Sequence, residues 1–276
     1  MTHTFFRSAG TGDNVICLHG SMSSSRQWDG LKNRLQPTCR VIAPDLHGYD
    51  SRPEWVGGAA FSLDQEVALL EDLIDALDGP VHLVGHSYGG AVAIAAAQTF
   101  GRRIASLTVY EPVIFSALFA RAAYRAAALE VCRLIAEIQR AYLCGDLFAA
   151  AQRFVDYWSG AGAWDAIPLE KKHGLSQQIP TVLANFEALV SAPDLLTGLA
   201  ELRIPTHCLS GRESPAPVNA ISGLLKRELP QATTHRFPYM GHMGPFNQAD
   251  IVNDRIAEFI QLQSMVVNRK GYPQAA

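Results

Sequence analysis

Val81-His82-Leu83-Val84-Gly85-His86-Ser87-Tyr88-Gly89-Gly90-Ala91-Val92-Ala93 is the stretch that decides how this chain is read. Val81 to Val84 is almost wholly apolar, which suits a strand covered on both faces. From Gly89 the side chains turn small and then apolar, which suits a helix packed closely on that strand. Between them lies the pattern Gly85-x-Ser87-x-Gly89. A serine presented on a sharp strand-to-helix turn needs little bulk two residues before it and two after, because Cβ atoms there would collide. Glycine at both places removes them, and the amide-rich start of the helix favours a nearby developing anion. The pattern alone is weak. Its place between a strand and a helix makes Ser87 a candidate nucleophile.

The same alternation extends in both directions. Val15-Ile16-Cys17-Leu18 runs into His19-Gly20, Val41-Ile42-Ala43 into Pro44-Asp45, and Leu107-Thr108-Val109-Tyr110 into Glu111-Pro112. Further on, Thr206-His207-Cys208-Leu209 leads to Ser210-Gly211, and Thr233 to Phe237 leads to Pro238. Helix-length segments lie between them: Ser25 to Leu35, Leu63 to Leu77, Tyr88 to Phe100, Ala216 to Glu228 and Ala249 to Leu262. Strand alternating with helix predicts an α/β domain whose mostly parallel sheet has helices on both faces. The tail after Gln263 is expected to be an irregular end.

One region interrupts the pattern. Residues 114–199 carry helical signals and no convincing strand. Ala128, Val131, Ile135, Ile138 and Tyr142 recur at spacings of three and four and draw one apolar helix face, with Arg125, Arg133, Glu137 and Arg140 off it. Phe148, Phe154, Tyr157, Trp158, Trp164 and Phe186 add aromatic bulk. Sheets of this kind place their ligands at the strands' C-terminal ends, and the insert follows such an end, so it reads as a lid. The expected organisation is a core of residues 1–113 and 200–276 with a helical cap of 114–199.

Attack on a carbonyl requires donors for the oxyanion. The backbone N–H after the nucleophile, that of Tyr88, is one candidate. The loop Leu18-His19-Gly20-Ser21-Met22 follows an earlier strand and can supply the second, from Ser21 or alternatively Met22.

Composition narrows the remaining choices. The chain has 276 residues, 48% apolar and 18% charged, with net charge −3. No basic run exceeds a pair such as Arg102-Arg103, so nucleic acid is not an expected partner. Cys17, Cys39, Cys132, Cys144 and Cys208 are an odd, scattered set without CxxC, which argues against disulfides or a zinc site and for a reducing cytoplasm. His82 and His86 belong to a strand and its turn, with no HExxH, so a zinc-peptidase reading fails. The N-terminal residues lack a signal-peptide pattern, and Ala91 to Ala97 is too short to span a bilayer. The expected partner is a small-molecule substrate, without membrane or cofactor; a homodimer is left open.

The loop His19-Gly20, then Pro44-Asp45-Leu46-His47-Gly48, Gly85-His86-Ser87-Tyr88-Gly89, Glu111-Pro112 and Gly241-His242 come in an order that resembles the α/β-hydrolase fold superfamily, over nearly the whole chain. More narrowly the chain is similar to lidded bacterial serine esterases, haloperoxidases and carbon–carbon bond hydrolases. The resemblance implies an eight-stranded sheet, or seven because the N-terminal stretch is short, and a Ser–acid–His relay. Asp50 stands where many relatives carry glycine, so that loop is expected to differ locally. An Asp-nucleophile dehalogenase or epoxide hydrolase is disfavoured, since Ser87 occupies the nucleophile's place.

The family order Ser…acid…His puts the base after Ser87. His173 lies in the insert and His207 and His235 in strand runs, which leaves His242 in the loop Pro238-Tyr239-Met240-Gly241-His242-Met243. Relatives often place the acid at the last position of a G-x-x-D turn, here Gly211-Arg212-Glu213-Ser214, where serine cannot be the anion. Glu111, at the end of the strand after the nucleophile helix, matches an alternative position seen in some haloalkane dehalogenases. Glu111 is the first candidate and Glu213 the second. The expected activity is hydrolysis of an ester or similar acyl bond in an apolar substrate. Carbon–carbon, lactone or thioester cleavage on the same residues, and a non-catalytic receptor, are the alternatives.

Overall fold

In the computed structural model, which describes residues 5–50, 52–55, 60–193, 195–197 and 199–269, the period-two alternation of strand side chains sorts the core into two layers. The strands are β1 (Phe6–Ala9), β2 (Asp13–Leu18), β3 (Cys39–Pro44), β4 (Val81–His86), β5 (Ile104–Tyr110), β6 (Thr206–Gly211) and β7 (Thr233–Phe237). The helices before β6 are α1 (Asp29–Leu35), α2 (Leu63–Asp75), α3 (Ser87–Phe100), α4 (Phe115–Phe119), α5 (Arg125–Leu143), α6 (Leu147–Ser159), α7 (Leu169–Gln177) and α8 (Ile179–Ser191). After it come α9 (Ala216–Glu228), α10 (Gly244–Asn247) and α11 (Ala249–Arg269). Val15, Cys17, Val41 and Val84 face one side with Trp28 and Leu31 near and on α1 and Val252 and Ile256 on α11. Their neighbours Ile16, Leu18, Ile42 and Leu83 face the other, against α2, α3 and α9.

Among the described residues the sheet has seven strands in the order β1-β3-β2-β4-β5-β6-β7. Every pairing is parallel except β1 with β3. The chain steps from β2 outward to β3, then back across β2 to β4, so the order reverses between β2 and β4. A crevice opens at the carboxyl ends of strands at such a reversal. Leu18 lies opposite Gly85 there, which sets the loop after β2 beside Ser87.

Three local expectations change. The edge strand β1 is exposed along most of its length, so it lacks the apolar run that marks its neighbours. On α5 the buried stripe is Ala127, Ala128, Val131, Leu134 and Ile138; Ile135 is half-buried and Tyr142 exposed. At about 100° per residue, 134 and 135 lie equally far on either side of a face centred on 131 and 138, so the elements packed against α5, and not the spacing, decide which is buried. Helix α11 continues past Gln263 to Arg269; residues beyond it lie outside those described. The segment between β5 and β6 contains helices α4 to α8 and no strand among its described residues. No described helix is long and apolar enough to cross a membrane.

Candidate active site

Strand β4 is wholly buried, and the chain turns at its end into α3, whose first residue is Ser87. The turn holds Ser87 at φ 55, a left-handed conformation that L side chains rarely take. Both flanking glycines are required by contact. A Cβ on Gly85 would lie 2.3 Å from the Gly89 carbonyl oxygen, and one on Gly89 would lie 2.4 Å from that of Leu18. Helix α3 is therefore pressed onto β4 and the end of β2 with no room for a methyl group.

Three strand ends bring the remaining groups to Ser87. His242, in the loop after β7, accepts the Ser87 hydroxyl at Nε2 over 2.8 Å. Its Nδ1–H donates to Glu111 Oε2 over 2.9 Å. Glu111 directly follows β5 at φ 46, and that turn directs its carboxylate along the strand ends. Its other oxygen accepts the Gly211 N–H and the Ser214 hydroxyl, each over 2.6 Å. All three side chains are buried. Ser214, at the position where relatives often carry the acid, thus hydrogen-bonds to the carboxylate that comes from β5 instead. Glu213 is exposed and is not part of this cluster.

The loop after β2 approaches from the opposite side. Ser21 and Met22 line the same cavity as Ser87 and His242, and Met22 turns the loop at φ 57. Tyr88 occupies the first turn of α3, and its hydroxyl donates to Glu66 over 3.2 Å. Burial pushes the Glu66 carboxyl up to about 7, despite the hydrogen bonds from His47 N–H and Tyr88 that oppose the shift.

Groups that the sequence reading passed over tie the two sides together. Gln27 Oε1 accepts the Gly20 N–H, and its Nε2 donates to His86 Nδ1. His86 Nε2–H then donates to the His242 carbonyl oxygen over 3.0 Å. Burial, then the neighbouring His242, holds the His86 imidazole well below its usual pKa, so a neutral ring spaces the two loops. His19 is likewise driven down to about 4 by burial; its Nε2 accepts the Leu46 N–H. Asn185 on α8 accepts the Ser21 and Tyr49 hydroxyls at Oδ1, over 2.8 and 2.5 Å. No local pattern marks Gln27, Glu66 or Asn185 in the sequence, because each acts through a partner 7 to 164 positions away.

The helical segment covers this edge of the sheet. Trp158 on α6 lies over the His242 ring, with centroids 4.2 Å apart. Phe154, Trp158, Ile167 and Leu175 wall a cavity of about 200 Å³ that opens onto Ser87 and His242. Among the described residues, no three His, Cys, Asp or Glu side chains converge so as to hold a metal ion.

Comparison with known proteins bears on the family and the fold. The model of the "Alpha/beta hydrolase family" matches residues 15–255. Lipase LipV of Mycobacterium tuberculosis is 38% identical over 101 residues, which span 36% of this chain and only 37% of that lipase. A pimeloyl-[acyl-carrier protein] methyl ester esterase of Nitrosomonas europaea is 27% identical over 251 residues, 89% of this chain and 94% of that one. Among solved structures, a thermophilic esterase from Thermogutta terrifontis superposes with TM-score 0.71 at 24% identity, covering 94% of this chain and 93% of that one.

Proposed function

The chain belongs to the alpha/beta hydrolase family, and we propose that within it this protein is a serine hydrolase that cleaves an ester or similar acyl bond of a small, largely apolar molecule. The observation that carries the reading is the unbroken buried line from Ser87 Oγ through His242 to the Glu111 carboxylate. Ser87 Oγ attacks the scissile carbonyl carbon while His242 Nε2 takes its proton. Negative charge gathers on the carbonyl oxygen, which the N–H groups of Tyr88 and of Ser21, with Met22 the second candidate in that loop, stabilise. The bond to the leaving oxygen breaks, and that oxygen takes the proton from His242. Water then attacks the acyl-enzyme, gives its proton to His242, and releases the acid as Ser87 regains its hydrogen. The Glu111 carboxylate holds the imidazole in the tautomer this cycle needs and faces the cation that forms on it.

Residues 114–199 act as a cap over a core formed by 1–113 and 200–276. The five cysteines are free, which suits a cytoplasmic enzyme. The mechanism stands or falls on Ser87. A fluorophosphonate should label the wild type at Ser87, and Ser87→Ala should escape labelling, keep its circular dichroism and lose on the order of 10³-fold or more in kcat on a simple aryl ester. Near wild-type turnover by a folded Ser87→Ala protein excludes the mechanism. An unlabelled wild type that turns over no ester, thioester, lactone or diketone favours a receptor on the same fold.

A further inference from the structure

Ser87 stands between two cavities of unequal size. The larger, about 200 Å³, is lined by His242 and by Met22, Val155, Ile167 and Phe246. The smaller has about 10 Å³ free, and His242 does not line it; Ser21, Val113, Phe115, Trp158 and Asn185 do. In acyl transfer the leaving atom must receive its proton from the base, so the leaving group lies on the base's side and the acyl group on the other. The narrow cavity is therefore the acyl chamber. That free volume is near the space one water molecule needs, so the cavity takes an acyl group with only one or two heavy atoms beyond its carbonyl carbon.

Two of its lining residues hold buried donors with no hydrogen-bond partner, Asn185 Nδ2 and Trp158 Nε1. Asn185 is 1% exposed and Trp158 8%. The Asn185 amide cannot rotate freely, because its oxygen is fixed by the Ser21 and Tyr49 hydroxyls. The Tyr88 hydroxyl, which donates to Glu66, lies close enough to feel the Asn185 amide but forms no hydrogen bond with Nδ2. A buried donor left unpaired costs the full desolvation of that group, so its persistence asks for an acceptor. The rest of the lining is apolar or hydroxyl-bearing and includes no charged side chain. A carboxylate there would be an unpaired buried charge, whereas a keto, ether or hydroxyl oxygen would not.

We propose that the narrow cavity seats a short acyl group bearing a neutral oxygen acceptor, bound by the N–H groups of Asn185 and Trp158. This rests on the serine-hydrolase reading above and adds its acyl specificity. Phenyl hydroxyacetate and phenyl propionate test it, because the two acyl groups match in length and differ by a hydroxyl in place of a methyl group. The quantity to measure is the ratio of their kcat/KM values in the wild type, in Asn185→Leu and in Trp158→Phe. The inherent reactivity of the two esters cancels when that ratio is compared between proteins. A hydrogen-bonding role predicts that the hydroxyacetate preference falls by roughly tenfold in either variant. A merely structural role lowers both esters together and leaves the ratio in place. If it stays within twofold of wild type in both variants, the proposal is overturned. Should Asn185→Leu fail to fold, Trp158→Phe still decides. An unmoved ratio in an enzyme that fluorophosphonate labels at Ser87 rejects only the acyl chamber. Absence of both labelling and turnover rejects the serine mechanism beneath it.

Discussion

Among the described residues, four non-glycine positions have positive φ: Met22, Asp50, Ser87 and Glu111. Three of them belong to the site, and strain of this sort costs about 1–3 kcal/mol per residue unless the surroundings impose it. At Ser87 the imposing contacts are the crowded Gly85 and Gly89; at Glu111 they are the Gly211 N–H and Ser214 hydroxyl that grip the turned carboxylate. Asp50, the fourth, takes a left-handed backbone at φ 47 in the loop after β3. The gripped oxygen of Glu111 leaves the other free for His242, and a glutamine there can keep the neutral contacts while losing the charge. Glu111→Gln is expected to lower kcat by about 10²–10⁴-fold, and Glu213→Gln to leave it within twofold. Steady-state kinetics on one aryl ester separate them; loss in Glu213→Gln alone would move the acid to the β6 turn.

At the scale of elements, the site is an intersection of strand ends with two cap helices. Helix α6 sets Trp158 over His242, and α8 sets Asn185 against the loop after β2. The helical segment between β5 and β6 is thereby tied by a hydrogen bond to the loop after β2, through Ser21, and by a second to the loop after β3, through Tyr49. Leu175 on α7 meets the wide cavity from its outer wall. Shortening it enlarges the space for the leaving group without touching the reacting atoms. Leu175→Ala should move the preferred alcohol chain of an acetate series to longer members, with turnover of the smallest ester changed less than about threefold. Unchanged chain-length preference would separate α7 from substrate selection. The cap's helical character is legible from its spacing, whereas the direction in which each helix presents its apolar face is not. On α5 the choice between Leu134 and Ile135 depends on where α8 and α9 lie.

Over the whole molecule, burial of ionisable groups ties stability to pH. His19, His82 and His207 are each lowered to about 4, in every case chiefly by burial. Each binds its proton less readily when folded than when unfolded, so its contribution is present above the unfolded pKa near 6.5 and is lost as pH falls toward 4. Glu66, raised to about 7, acts the other way: folding favours its protonated form, and its contribution declines as pH rises from about 4.5 to 7. With shifts of this size, each group is worth on the order of 1–3 kcal/mol. His86, also lowered by burial, acts in the same direction, so the losses outweigh the one gain: thermal stability should fall between pH 6.5 and 4.5, and Glu66→Gln should steepen that fall. A stability that rises across this range would contradict the burial of the histidines. The strands, their alternation with helices and the Ser87 turn are legible in the chain because each rests on neighbours within a few residues: apolar period, glycine spacing, a helix start. His242 and Glu111 are legible as candidates, since strand order restricts which ends lie near Ser87. The exclusion of Glu213, the bridging by Gln27 and His86, and the unpaired amide of Asn185 belong to the folded molecule alone. They depend on which oxygen a carboxylate turns outward and which helix face meets a loop, and contacts between residues far apart in sequence decide both.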